Sequence, residues 1–122
     1  MRRLLTLVLA GAVAAVLVGC GSDDTTDGEA PFEVPGDPVA TTEVTLVKSY
    51  MFDPAVISVD AGATVTWTNE DDFPHNVTLL DGSDRTVDLP IGGSGSLTFD
   101  EAGTVLYQCS IHPQMHGKVV VG

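Results

Sequence analysis

Val65 and Trp67 alternate with Thr64, Thr66 and Thr68, which makes one side of this stretch apolar and the other hydroxylated. A period of two commits a segment to a half-buried β-strand, because successive side chains leave a strand on opposite faces. The same texture recurs at 44–47, 56–59, 76–80, 96–99, 104–109 and 118–121, with Val and Thr dominant. β-Branched residues of this kind suit a pleated surface. Turn signals stand between the runs: Asp60-Ala61-Gly62, Asp81-Gly82, Gly92-Gly93 and Ala102-Gly103. No window after residue 20 carries an apolar stripe of helical spacing. Seven or so short strands with turns at regular spacing predict an all-β domain, either a sandwich or a barrel. Periodicity does not order the strands.

The first 40 residues have another character. Arg2 and Arg3 precede an uncharged apolar run over 4–18, which closes on Gly19 and Cys20. A positive start, a short apolar stretch and small residues at its end form the pattern of a secretory signal. The run of fifteen residues is shorter than the ~20 that a membrane-spanning helix needs. Leu17-Val18-Gly19-Cys20 resembles the lipobox of bacterial lipoproteins, in which the peptide is cut before the Cys and its thiol is lipidated. The bland alternative is an ordinary cleavage site beside an unremarkable Cys. Residues 21–40 are rich in Asp, Thr, Gly, Glu and Pro, with Phe32 their only aromatic. Such a segment buries too little apolar surface to fold alone and reads as a tether. The expected organisation is a signal peptide over 1–19, a lipidated Cys20 with a flexible acidic linker to residue 40, and one domain over 41–122. Acyl chains on Cys20 would hold the protein on the outer, extracytoplasmic face of a membrane.

Removal of the signal leaves Lys48, Arg85 and Lys118 against 17 acidic residues, a formal charge of −14. This excludes a nucleic-acid binder, which needs basic surface to meet phosphates. The charge is read first as a solvated acidic surface that keeps the protein soluble, and second as a means of steering toward a basic partner such as a cytochrome.

The chemistry-bearing residues are clustered. Cys109, His112, Met115 and His116 fall within eight residues, directly after the run 104–108, and His75 lies 34 residues before Cys109 in Asp72-Phe73-Pro74-His75-Asn76. One Cys, two His and one Met form the ligand set of a blue-copper site, a trigonal His₂Cys plane with a weak axial thioether. Cys109 ends a strand, two residues turn the chain toward His112, and two more return Met115. Pro113 stiffens that loop through its fixed φ, and Gly117 releases the chain into the last strand. His116 adjoins Met115 and is expected to be an exposed, non-ligating His. Other readings of Cys109 remain: a disulfide with Cys20, a nucleophile with His112 as base, or zinc bound with the two His. Asn76-Val77-Thr78 also matches a glycosylation sequon.

The segment 107–121, Tyr-Gln-Cys-Ser-Ile-His-Pro-Gln-Met-His-Gly-Lys-Val-Val-Val, resembles the copper loop of the cupredoxin family in its short, amicyanin-type form. Thr64-Val65-Thr66-Trp67-Thr68-Asn69 and Phe73-Pro74-His75-Asn76-Val77 resemble the strand and ligand loop upstream in that family. The resemblance spans most of 41–122. It implies an eight-stranded Greek-key β-sandwich holding one copper ion at one end through His75, Cys109, His112 and Met115. It also implies that Asn76 ties the two ligand loops together near Ser110. The loop departs from amicyanin at Ile111 and Gln114, where that protein has Pro and Phe; these positions help form the apolar rim around the second His, where partners dock. The implied function is one-electron carriage by a monomer between extracytoplasmic redox proteins, such as a cytochrome or a membrane oxidase or dehydrogenase. The competing function is copper binding and delivery without electron transfer. An enzyme is not expected: oxidases and nitrite reductases of this superfamily need further His-rich sites, and the chain has three His in all.

Overall fold

The computed structural model of the protein describes residues 30–122. The signal read at 1–19, the lipidation site Cys20 and the linker up to residue 29 lie outside the described residues. The described chain is all-β. In order it forms β1 (Val39–Ala40), β2 (Glu43–Val47), β3 (Met51–Asp53), β4 (Val56–Val59), β5 (Ala63–Asn69), β6 (His75–Leu79), β7 (Thr86–Leu89), β8 (Ser94–Phe99), β9 (Gly103–Gln108) and β10 (His116–Val121). One sheet has the order β1-β4-β10-β9-β6-β7 and the other β3-β2-β5-β8. The chain crosses between sheets at every connection except β2–β3, β6–β7 and β9–β10, which interleaves the two layers in the Greek-key manner.

Ten strands stand where about eight were expected. β1 and β3 have two and three residues, too few to display a period. β7 is a four-residue strand paired with β6 from Thr78↔Thr86 to His75↔Leu89, and Pro90 ends it. Ordered structure also reaches upstream of residue 41. Val39 and Ala40 pair with Ile57 and Ser58 of β4, and Val34 is buried.

The alternation read in β5 is borne out. Val65 and Trp67 are buried, while Thr64 and Thr66 face outward and exchange hydroxyl hydrogen bonds with Thr98 and Ser96 of β8, each 2.8 Å. Trp67 lies at the centre of the core. Tyr107 of β9 meets it edge-on at 5.4 Å between ring centroids, and Phe52 meets Tyr107 likewise at 4.8 Å. Such edge-to-face pairs add to plain area burial. The position of Tyr107 corrects the reading of Gly117. That glycine is a paired residue of β10, opposite Tyr107, and a Cβ there would enter the Tyr107 ring. Gly117 makes room for a core aromatic; the chain is already in β10 at His116.

The register brings one end of the first sheet to a focus. The start of β6, the end of β9 and the start of β10 lie together, since Thr78 pairs with Gln108 and Gln108 with His116. His75, Cys109 and Met115 sit at these three strand ends.

Candidate metal centre

His75 opens β6, a strand held on both sides by β7 and β9, so its backbone has little freedom. The loop before it is organised by Asn69, the last residue of β5. The buried Asn69 side chain donates from Nδ2 to the carbonyls of Phe73 (2.8 Å) and Leu89 (3.0 Å), and its Oδ1 accepts from the Asp71 amide (2.9 Å). An Asn that satisfies backbone groups two residues on builds a turn from its own side chain. The turn delivers Asp71, whose carboxylate accepts from the Asp72 amide (2.8 Å) and meets Nε2 of His75 at 2.8 Å. Burial works to raise the Asp71 carboxyl, but the bond to His75 and the bond from the Asp72 amide outweigh it and hold the group below its ordinary range.

The second segment is the loop 109–115. It closes on itself: the Met115 amide donates to the His112 carbonyl (2.9 Å) and the Cys109 amide to the Met115 carbonyl (3.2 Å). Met115 is thereby returned beneath Cys109, and both are buried. Asn76 fastens this loop to β6. Its Nδ2 donates to Ser110 Oγ (2.6 Å), and its Oδ1 accepts from the Ser110 amide (2.8 Å) and from the Thr78 hydroxyl (3.1 Å). The Asn76 backbone amide points at Cys109 Sγ at 3.4 Å.

Three donor atoms converge here. Nδ1 of His75 lies 3.7 Å from Cys109 Sγ, Nδ1 of His112 lies 4.0 Å from it, and the two nitrogens are 3.0 Å apart. Metal–nitrogen and metal–sulfur bonds of roughly 2.0 and 2.3 Å place donors around one ion about 3–4 Å from one another. The spacing therefore fits a single small ion. Among the described residues, His75, Cys109 and His112 are the one group of three or more His, Cys, Asp or Glu close enough to share a metal. Cys109 is a free, buried thiol.

The ring of His112 is half-buried, and aromatic side chains surround it. Tyr50 packs against it at a tilt, 4.7 Å between ring centroids, Phe73 meets it edge-on at 6.4 Å, and Tyr50 also meets His75 edge-on at 5.9 Å. Tyr50 reaches this place from the turn between β2 and β3, where Ser49 and Tyr50 have φ of 80° and 60°. Phe73 and Ile111 are exposed nearby. His116 is not the free surface His expected: its ring lies flat on Phe32, 3.7 Å between centroids and 4° between planes. Sequence reasoning missed Asn69, Asp71, Tyr50 and this stack. An Asn at a strand end before an acidic run was the available signal for the first two; nothing local announced the others.

The model of the family described as copper binding proteins, plastocyanin/azurin family, matches residues 40–122. The chain is 40% identical over 89 residues to amicyanin-alpha of Methylorubrum extorquens, a match covering 69% of this chain and 74% of that protein. It is 44% identical over 70 residues to amicyanin of Paracoccus denitrificans, about half (53%) of either protein. Among solved structures, a reduced amicyanin mutant superposes with a TM-score of 0.61 at 33% identity, covering 74% of this chain and 97% of that one.

Proposed function

The chain belongs to the plastocyanin/azurin family of copper-binding proteins, and on that footing we propose that it is a type 1 (blue) copper protein carrying one electron at a time. Its ligands are His75, Cys109, His112 and Met115. The observation that carries this reading is the meeting of His75 Nδ1, Cys109 Sγ and His112 Nδ1 within 4.0 Å, from segments 34 residues apart. Copper supplies the one-electron chemistry by alternating between Cu(I) and Cu(II). Cys109 offers the thiolate and, with the two imidazoles, a plane of donors; Met115 offers the soft axial sulfur. The residues around them resist rearrangement. β6 fixes His75, and Asn76 joins that strand to Ser110, the residue after Cys109. A frame that does not relax between oxidation states keeps the barrier to electron exchange low.

Electrons enter and leave by the edge of His112, the half-buried ligand beside exposed Phe73 and Ile111. The partners are redox proteins such as a cytochrome or a membrane oxidase or dehydrogenase. Signal 1–19 exports the chain, Cys20 anchors it by acyl chains to the outer face of the membrane, and the segment after it gives a monomeric domain reach toward those partners.

The test is to titrate the full-length apoprotein with Cu(II), following visible absorption and EPR. An intense visible band with a narrow copper hyperfine splitting, bleached by ascorbate and lost in Cys109→Ser, is expected. Ordinary Cu(II) spectra would refute the site. A blue protein that cycles poorly on an electrode would instead favour copper delivery.

A further inference from the structure

His75 has two working nitrogens. Nδ1 faces Cys109 and His112, while Nε2 faces the Asp71 carboxylate at 2.8 Å. The His75 side chain is wholly buried, and that of Asp71 is 4% exposed. A carboxylate in such a place must have its oxygens satisfied. Here the Asp72 amide serves Oδ1, and the partner of Oδ2 is the imidazole. The Asp71 backbone is held where this bond can form, because its own amide donates to Asn69 Oδ1. Lys48 pairs with the neighbouring Asp72 at 3.2 Å, both well exposed.

From this geometry we infer that Asp71 is a positioning residue that acts on the copper through His75 and sets its reduction potential. The inference rests on the copper reading above. The carboxylate accepts Nε2–H and so leaves Nδ1 as the lone-pair donor that faces Cys109. Its negative charge also enriches the imidazole, and that favours Cu(II), the state with one more positive charge. The reduction potential measures the ratio of Cu(I) to Cu(II) affinities, so Asp71 holds the potential down. Removing a partner of this kind typically costs 10–100-fold in metal affinity. A tenfold loss confined to Cu(II) raises a one-electron potential by about 59 mV.

The test uses the full-length protein in three forms: wild type, Asp71→Asn and Asp71→Glu. Asp71→Asn keeps the shape and removes the charge; it is expected to stay blue while its potential rises by at least that tenfold equivalent. Asp71→Glu should return the potential toward wild type, which a merely structural role for the loop would not require. In parallel, ¹⁵N NMR of the wild-type apoprotein, at a pH where the ring is neutral, should show His75 as the Nε2–H tautomer. A blue Asp71→Asn with unchanged potential would overturn the inference and leave the copper reading intact. An Nδ1–H tautomer in wild type would overturn it even if the variants failed to fold. A protein that never turns blue would remove both.

Discussion

Asn76 joins the two halves of the site by hydrogen bonds that involve no metal ligand atom, so its contribution is measurable without copper. Asn76→Ala removes three: to Ser110 Oγ, from the Ser110 amide, and from the Thr78 hydroxyl. The first two bridge β6 to the loop 109–115, at about 1 kcal/mol net each. Ser110 is exposed, so water can take up its freed amide and no large desolvation penalty follows. The expected loss is about 2 kcal/mol. At ~4–8 °C per kcal/mol for a domain of this size, the melting temperature should fall by roughly 8–16 °C. Thermal and urea unfolding of the full-length apoprotein, followed by circular dichroism, gives the measurement. Ser110→Ala removes only the hydroxyl partner and keeps the amide, so it should cost about half as much. The double variant is the decisive one. Groups in one network couple by roughly 0.5–3 kcal/mol, while independent sites add to within ~0.3–0.5 kcal/mol. If the two losses simply add, or if Asn76→Ala unfolds like wild type, Asn76 does not tie the loops and the account of the site's rigidity fails.

Two further outcomes concern the frame behind the site. Gly117→Ala would drive a methyl into Tyr107, which Phe52 and Trp67 wedge from other directions; overpacking of this kind costs ~1–3 kcal/mol, and Gly117→Ala/Tyr107→Leu should recover part of it in the same unfolding assay. Burial pushes the Tyr107 hydroxyl far above the ordinary tyrosine range, so the unfolded chain releases this proton near pH 10 while the native one keeps it. Its share of stability is therefore complete below pH 10 and lost above it, at up to about 1.4 kcal/mol per pH unit. Tyr107→Phe should flatten the alkaline limb of a stability–pH curve measured between pH 9 and 11.5, and an unchanged limb would show that the hydroxyl ionises in the folded state.

The strands legible in the sequence were those long enough to alternate and pressed against the core on one face. β5 shows this best, with Val65 and Trp67 inward and Thr64 and Thr66 outward. β1 and β3 owe their existence to neighbours: two or three residues become a strand because β4 or β2 offers a ladder, and no local pattern records that. The converging donors His75, Cys109 and His112 were legible because metal chemistry restricts residue types and the loop restricts spacing. What supports them was mostly not. Asp71 sits in an acidic run, Glu70-Asp71-Asp72, that reads as solvated loop; only the turn built by Asn69 separates the buried carboxylate from its exposed neighbours. Tyr50 reaches the site through two consecutive left-handed residues, Ser49 and Tyr50, a conformation that non-glycine sequence does not advertise. Phe32 was assigned to a tether by composition, although its ring stacks on His116.

The two imidazoles of the site are held unequally, and the inequality bears on how the proposed carrier works. His75 stands on a strand flanked by two others, is fully buried, and is gripped at Nε2 by Asp71. His112 stands on a loop and is half-buried, and its ring has polar contacts through Nδ1 alone, with none at Nε2, among the described residues. Any adjustment between oxidation states therefore falls on His112, because displacing His75 would break the carboxylate bond and disturb the β6–β7 and β6–β9 pairings. Yet His112 is also the ligand nearest the exposed Phe73 and Ile111. In the proposed carrier, the least constrained ligand and the electron's exit are the same residue. Tyr50 and Phe73 reconcile the two demands: packed against the His112 ring at 4.7 and 6.4 Å between centroids, they limit its movement by steric contact, where His75 has a carboxylate on its second nitrogen. A partner seated on Phe73 would tighten that contact, so docking would stiffen the ligand through which the electron passes.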